Sequence, residues 1–410
     1  MRIVITGIEI CGLIHDLAVG LKKRGHDVIT VADSNWYFSY TYDYPQAGIF
    51  GAYFSSNRLL RRLANKVLGA IRKISRATAD SIDTAIRKRI FRGTDLYIQV
   101  WGEEFPQQQE ILKFVKQEGA KIATLFMGSD VRCYRLFAEQ YEIFGLKLPK
   151  SHLEIPRSTK LKRVRLHERY ADAIFSVPDQ MGLALRSYHH SQIPMHVNEY
   201  VYNLSSRDEP LVIHAPSNRG LKGSILVEEC VDRLRMEGVR FEFRSVRDMP
   251  NTEIRKLLTE ADVLIDEVGL HGPGFLSVEA MLSGCAVATR YLQESPASFR
   301  PPVVPVDPAN LYEPVKRLLT DKAWRVEVAK KGRAYALENN NADKVIDNLL
   351  ERTNRGADGE HDYHPTYLRD EWQPSSDEEA EEINRFNETV RNEAWYRENL
   401  AGRQRGSLRF

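Results

Sequence analysis

The chain has 410 residues, 42% of them hydrophobic and 28% charged, with a formal net charge of +2. That length suits two or three domains, each able to bury a core, and the near-balanced charge does not indicate a nucleic-acid binder. The four cysteines (Cys11, Cys133, Cys230 and Cys285) form no C-x-x-C pair and have no histidine at metal-ligand spacing, which predicts a reducing compartment and no metal site.

The opening "MRIVITG" moves straight into a strand, so no signal peptide is expected. No apolar run reaches the ~18 residues of a membrane span. The expected setting is cytoplasmic, with peripheral attachment to the inner membrane face left open. "GLIHDLAVGLKKRGH" reads as an amphipathic helix closing on Gly25, and "DVITVAD" as the next strand. This β-α-β opening predicts a parallel sheet. Residues 57–92 follow as a basic helical insertion with eleven Lys or Arg against two Asp, and Leu59, Leu60, Leu63, Val67, Ile71 and Ile74 make an apolar stripe at helical spacing. Two readings stand: a domain helix with a solvated face, or an interfacial helix drawn to anionic lipid. "KLKRVRLHER" (160–169) is a second basic run compatible with the latter.

Further strands are predicted at "DLYIQVW" (95–101), "KIATLFMG" (121–128) and "ADAIFSVP" (171–178). After a polar break at 203–210 the alternation restarts. "LVIHAPS", a helix "SILVEECVDRLRMEG", the strand "RFEFRSV", a helix at 252–260, the strand "ADVLIDEV", a helix within "HGPGFLSVEAMLSG" and the strand "CAVATR" succeed one another, before two closing helices at 311–321 and 323–340. The expected domains are 1–204 and 205–355. From Gly356 the sequence turns polar and acidic, and a capping signal at Ser375 and Ser376 predicts one helix over about 377–399 in a tail spanning 356–410. Trp372, Phe386, Trp395 and Tyr396 suggest that the tail docks in part.

Two stretches carry chemistry. In "LVIHAPSNRGLKGS" (211–224), Ser217, Arg219 and Lys222 lie among glycines after a strand, where open α/β sheets bind ligands. Arg grips phosphate oxygens at two points and Lys adds a point charge, although a solvated basic turn is the plain alternative. In "HGPGFLSVEAMLSG" (271–284), glycines stand at the mouth of a helix. The unpaired N–H groups of a first helical turn receive anions, and glycine lets an anion approach. The amides near Gly272, Gly274, Phe275 and Leu276 are therefore candidates for a phosphate, with Glu279 placed in the first turn.

Together these stretches resemble the carboxyl-terminal half of a GT-B glycosyltransferase, most like family four. The resemblance implies two Rossmann-like domains facing each other across a cleft, and it covers residues 1 to 350. It implies a UDP- or GDP-sugar donor as substrate, no permanently bound cofactor, no metal for phosphate binding and retention at the anomeric carbon. Arg219, Lys222 and the helix mouth would hold the leaving diphosphate, Glu279 the ribose, and the backbone around Val246 (Ser245 to Arg247) the base. The family motif E-G-F-G-x-x-x-x-E-A-M-A-x-G-x-P-V places its first Glu at His271, beside the sugar. "GIEICG" (7–12), with Gly12, matches the loop after the first strand, and His15 follows on the helix. "MGSDVR" (127–132) resembles H-G-S-D-x-R with Met127 in place of His, and it offers Asp130 as a catalytic candidate or as a helix cap paired with Arg132. His15, Asp130 and His271 are thus the catalytic candidates. His214 reads as a packed histidine, and Asp266 and Glu267 as loop carboxylates. The acceptor would be a glycan, a lipid-linked group or a protein. The alternatives are a GT-B module without catalysis that serves a partner protein, and a sugar-nucleotide 2-epimerase, for which no convincing acid/base set is identified.

Overall fold

The computed structural model describes residues 1–33, 40–46, 49–55, 57–102, 107–132, 157–177, 184–205, 207–291, 297–356 and 359–363. The tail helix expected at 377–399 lies outside them. Contacts divide the described chain into two compact units, the first taking 1–132, 157–191 and 346–363 and the second 192–345.

In the first unit the elements run β1 (Arg2–Gly7), α1 (Leu13–Lys23), β2 (Asp27–Val31), α2 (Ile49–Phe54), α3 (Arg58–Ile74), α4 (Arg76–Phe91), β3 (Leu96–Val100), α5 (Gln108–Gln117), β4 (Lys121–Leu125), α6 (Arg157–Tyr170), β5 (Ala173–Ser176) and β6 (His189–His190). The second unit holds β7 (Leu211–His214), α7 (Arg219–Lys222), α8 (Ser224–Met236), β8 (Glu242–Ser245), α9 (Asn251–Glu260), β9 (Val263–Ile265), α10 (Phe275–Ser283), β10 (Ala286–Thr289), β11 (Val304–Pro305), α11 (Tyr312–Thr320) and α12 (Lys322–Asn339). Helix α13 (Ala342–Arg355) then carries the chain from the second unit into the first.

Both sheets are parallel. The first has the order β2-β1-β3-β4-β5-β6, and the second, written in the same sense, β8-β7-β9-β10-β11. Each starts at an inner strand, steps outward once, then reverses, so each has one switch point, between β1 and β3 or between β7 and β9. The inner strands are apolar without alternation because helices cover both faces: Ile3, Val4 and Ile5 are fully buried, as are Val212, Ile213 and Leu264. Strand β8, by contrast, is an edge whose Glu242 and Arg244 stand exposed and pair with each other, which discourages edge-to-edge association. Gly7 shows why the β1 end must be glycine. Its φ is +134°, and a Cβ there would stand 1.7 Å from the Val100 carbonyl oxygen across the switch point.

The strand and helix alternation read from the sequence matches these elements. Four differences have physical causes. The basic insertion is two helices, because Ser75 ends α3 and its side chain accepts from the Thr78 amide to cap α4. Residues 192–204 belong with the second unit, since Met195 and Val197 enter its core. Residues from Ile346 belong with the first, where Asp347 pairs with Arg24 and Tyr363 bridges to Tyr188. Helices α2, α5, α6 and α13 and the short strands β6 and β11, to which the sequence reading assigns no element, complete the sheets and layers.

Candidate functional site

The second unit gathers most of the expected donor-site residues at its switch point. After β7, Asn218 accepts from the Leu221 amide and caps a single turn, α7, so Arg219 and Lys222 stand on a short helix and not on an open loop. Gly223 ends that turn at φ +71° and starts α8. Lys222 Nζ lies 2.7 Å from Asp266 Oδ1 and 2.8 Å from Glu267 Oε1, both just beyond the end of β9. Burial alone would lower the lysine's pKa, but the two carboxylates overcome that and hold it above its ordinary value, so Lys222 remains a cation. Asp266 is buried, and its second oxygen accepts from Ser277 Oγ at 2.6 Å in the first turn of α10. One carboxylate therefore ties the lysine after β7 to the mouth of α10.

Helix α10 has Gly274 as its N-cap, with no side-chain cap, so Phe275 and Leu276 supply first-turn amides. Upstream, the Gly272 amide donates to the Arg290 carbonyl at 2.6 Å, and a Cβ on Gly272 would stand 2.8 Å from Thr289 Oγ1, so the chain passes close to β10. His271 is half-buried before this crossing. A Cβ on Gly274 would be 3.8 Å from Glu267 Oε1 and 4.0 Å from Asp266 Oδ2, which places both carboxylates beside the helix mouth.

Glu279 sits in the second turn of α10 and not in the first as expected, because the helix begins at Phe275. It is buried, and its Oε1 accepts from Asn251 Nδ2 at 3.0 Å and from the Tyr200 hydroxyl at 3.3 Å. Burial raises its pKa, while Asn251, Arg255 and Tyr200 act in the opposite direction. Arg255 in turn lies over the Tyr200 ring, 4.1 Å from its centroid. Nothing in the sequence marked Tyr200 or Asn251, which stand 79 and 28 residues from Glu279.

Arg219 does not join the Lys222 group through a described contact. Its Nη2 donates to both oxygens of Glu228 on α8, at 2.8 and 2.6 Å. Ser217 is exposed between β7 and α7. Val246 is buried, and its amide donates to the His214 carbonyl, so that N–H is taken by the sheet while Ser245 and Arg247 on either side are exposed. His214 is the packed histidine expected: one ring nitrogen lies 2.8 Å from the Ile265 carbonyl and the other 2.8 Å from Ser224 Oγ, and burial lowers its pKa.

Gly12, His15 and Asp130 lie in the first unit. Gly12 is the N-cap of α1, with φ +92°. The His15 ring stacks on Tyr40 with centroids 3.9 Å apart. Glu9, which the sequence reading passed over, accepts from the amides of Ile14 and His15 at 3.3 and 3.2 Å and from the Tyr42 hydroxyl. Burial raises its pKa, with Tyr42 and these amides opposing. Asp130 is buried, and its carboxylate accepts from the amides of Gly102, Gly128 and Met127 at 2.9, 2.8 and 3.1 Å. Burial raises its pKa in spite of these bonds. Its carboxylate thus fastens the end of β4 to Gly102, just past the end of β3, and the Arg163 guanidinium donates to its carbonyl.

No protein-family model matches the chain, and no curated protein matches its sequence. Solved structures do match its fold. Sucrose-phosphate synthase from Thermosynechococcus elongatus aligns over 86% of this chain and 99% of its own, with a TM-score of 0.52 at 14% identity. An α-glucosyltransferase, solved in complex with UDP-glucose and DNA containing an abasic site, aligns over the same shares with a TM-score of 0.52 at 12% identity. A glycosyltransferase from Rickettsia africae covers 86% and 98%, with a TM-score of 0.51 at 11% identity.

The fold is GT-B.

In this GT-B chain the second sheet carries the Lys222, Asp266 and Ser277 linkage at its switch point, the place where open α/β sheets bind ligands.

Proposed function

We propose that the protein is a glycosyltransferase that takes its sugar from a nucleoside-diphosphate-sugar bound by the second unit. The observation that carries this reading is the linkage Lys222–Asp266–Ser277, which sets a cation and an uncapped helix mouth on one carboxylate at the switch point. A diphosphate placed there would meet Lys222 and the amides of Phe275 and Leu276. Groups arranged in advance stabilise the charge that builds on the leaving diphosphate without reorganising during the reaction, and no metal is then needed. Arg219 would join by exchanging Glu228 for phosphate oxygens. Glu279, steadied by Asn251 and Tyr200, would accept from the ribose hydroxyls. His271 would stand beside the sugar, the outcome would be retention, and the acceptor would be a glycan, a lipid-linked group or a protein. The glycosyltransferases of the same fold, including one solved with UDP-glucose, support the reading.

Thermal unfolding in the presence of UDP, GDP, ADP and their glucose or mannose conjugates tests it. One diphosphate should raise the melting temperature, and the Lys222→Ala variant should lose that response. If no diphosphate shifts melting or binds by calorimetry, the donor site is wrong. A second reading, a GT-B module without catalysis, draws on Met127 and His271 at motif positions and on the pairing of Arg219 with Glu228. Binding of a sugar nucleotide with neither transfer nor hydrolysis would select it.

A further inference from the structure

Helix α3 leaves its apolar stripe bare. It rests on its neighbours through Leu68, its one buried residue, with Arg61, Ala64, Asn65 and Ile71 part-buried around it. Asn65 Oδ1 accepts from the Gly51 amide of α2 at 2.9 Å, and Arg61 Nε donates to the Ser55 carbonyl, which fix this side of the helix inward. At about 100° per residue, Leu59, Leu63, Val67 and Ile74 then fall on the outer side. They are 51–88% exposed.

One edge of this outer strip is cationic. Arg58, Arg62, Lys66 and Lys73 succeed one another along it at helical spacing, all exposed, and among the described residues none of them meets a carboxylate. The helix has six Lys or Arg and no acidic residue. Helix α4, the other half of the basic insertion, is different: Ala79, Ile86, Ile90 and Phe91 are buried, and Arg87 is paired with Asp83.

We infer that α3 is a membrane-surface element that lies along a bilayer containing anionic lipid, its apolar strip entering the boundary between headgroups and acyl chains and its cation row meeting lipid phosphates. No helix among the described residues is long and apolar enough to cross a membrane, so attachment by α3 would be interfacial. The charge selects the occupant. A second copy of this face would bring two cation rows together, whereas an anionic surface answers the row and the strip at once. Long Arg and Lys side chains also extend their heads to the headgroups while their stems lie on apolar surface. The inference stands on α3 alone and is independent of the donor site, which belongs to the other unit.

The test is co-sedimentation of the full chain with phosphatidylcholine vesicles, with and without phosphatidylglycerol. Binding should need the anionic lipid and should fall as salt rises, because exposed charges are screened within about 10 Å near 0.1 M. Each cation removed should lower partitioning about fivefold, so Arg58→Gln, Arg62→Gln, Lys66→Gln and Lys73→Gln together should lower it on the order of several-hundredfold. Leu63→Ser with Val67→Ser should also release the protein while leaving every cation in place. These side chains are exposed, so both variants should unfold at the wild-type temperature. Equal binding to neutral vesicles, no binding to either, or undiminished binding of the Leu63→Ser, Val67→Ser variant would each overturn the inference. So would a concentration-dependent dimer abolished by those two substitutions, or binding to an acidic peptide but to no vesicle.

Discussion

The two sheets share the order of their first five strands, but around their carboxyl ends carboxylates are used in opposite ways. In the first, Glu9 and Asp130 accept from backbone amides, those of Ile14 and His15 and those of Gly102, Met127 and Gly128. In the second, Asp266, Glu267 and Glu228 hold cations, Lys222 and Arg219, and the mouth of α10 has no side-chain cap. An amide group is neutral, so a carboxylate that satisfies it fills an anion position with the protein's own charge. A cation held by carboxylates keeps its charge and can exchange one anion for another. The same order of the first five strands thus yields one sheet end closed by its own acids and one whose cations stand beside uncapped helix amides, the arrangement on which the proposed diphosphate site rests.

The largest effect should come from the closed end. Asp130→Ala orphans the buried amides of Gly102 and Gly128, at about 1–3 kcal/mol each, and the part-buried amide of Met127, so we expect a loss of about 2–6 kcal/mol in urea unfolding. Nucleotide affinity of the folded protein should stay unchanged. Intact stability with abolished transfer would instead place Asp130 on the substrate and break the comparison.

At the exchanging end, Lys222→Ala should weaken diphosphate binding tenfold to a hundredfold by calorimetry, the equivalent of about 1.5–3 kcal/mol for a hydrogen bond to a charged group. It also leaves the buried Asp266 without its cation, so melting should fall as well. Arg219→Ala should lower the same affinity by about tenfold, with melting near wild type because that pair is partly exposed. Unchanged affinity in both variants would remove the anion site from the second unit.

In the proposed donor site, Glu279 would separate the ribose from the phosphates. Glu279→Gln should reduce affinity for the nucleoside more than for inorganic diphosphate. Its folded pKa is raised above 4.5, so the favourable contribution of its protonated form is present below that value and is lost as pH rises through the folded pKa. The Gln variant should therefore gain melting temperature relative to wild type across that rise. A variant that melts lower and binds nucleosides normally would leave Glu279 a structural role only.

Acid should weaken the first unit. Burial drives His167, His189 and His190 down to about 3 from 6.5. Groups with depressed folded values contribute stability above the unfolded pKa and lose it as pH falls, here from 6.5 toward about 3. His167→Asn should flatten the fall of the urea midpoint over that window. An equally steep fall in the variant would shift the acid sensitivity away from this histidine.

The smallest change sharpens the contrast most directly. Glu228→Gln frees Arg219 from a partly exposed ion pair of about 0.2–1 kcal/mol and should raise diphosphate affinity by up to about fivefold. Lower affinity would mean that Glu228 positions the arginine and does not compete for it.

The sequence by itself determined the order of the elements. Apolar runs such as "RIVITG" and "LVIH", the glycines at their ends and the amphipathic periods between them are local signals, and they gave both parallel sheets and the helix that opens after Gly274. It also pointed to Lys222 and Glu279, because a cation after a strand and an acid inside a helix are visible in one dimension. Their partners were decided by tertiary structure. Asp266 reaches Lys222 across 44 residues and Tyr200 reaches Glu279 across 79, and side-chain pairing at such separations leaves no periodic trace. Glu9 was hidden for a different reason: a glutamate just before a helix reads as ordinary surface charge until Tyr42 folds over it. The α3 stripe shows the same limit from the other side. Leucines at helical spacing look alike whether they face a core or solvent, and only the packing of Leu68 and Asn65 decided which face turned inward and left the strip bare.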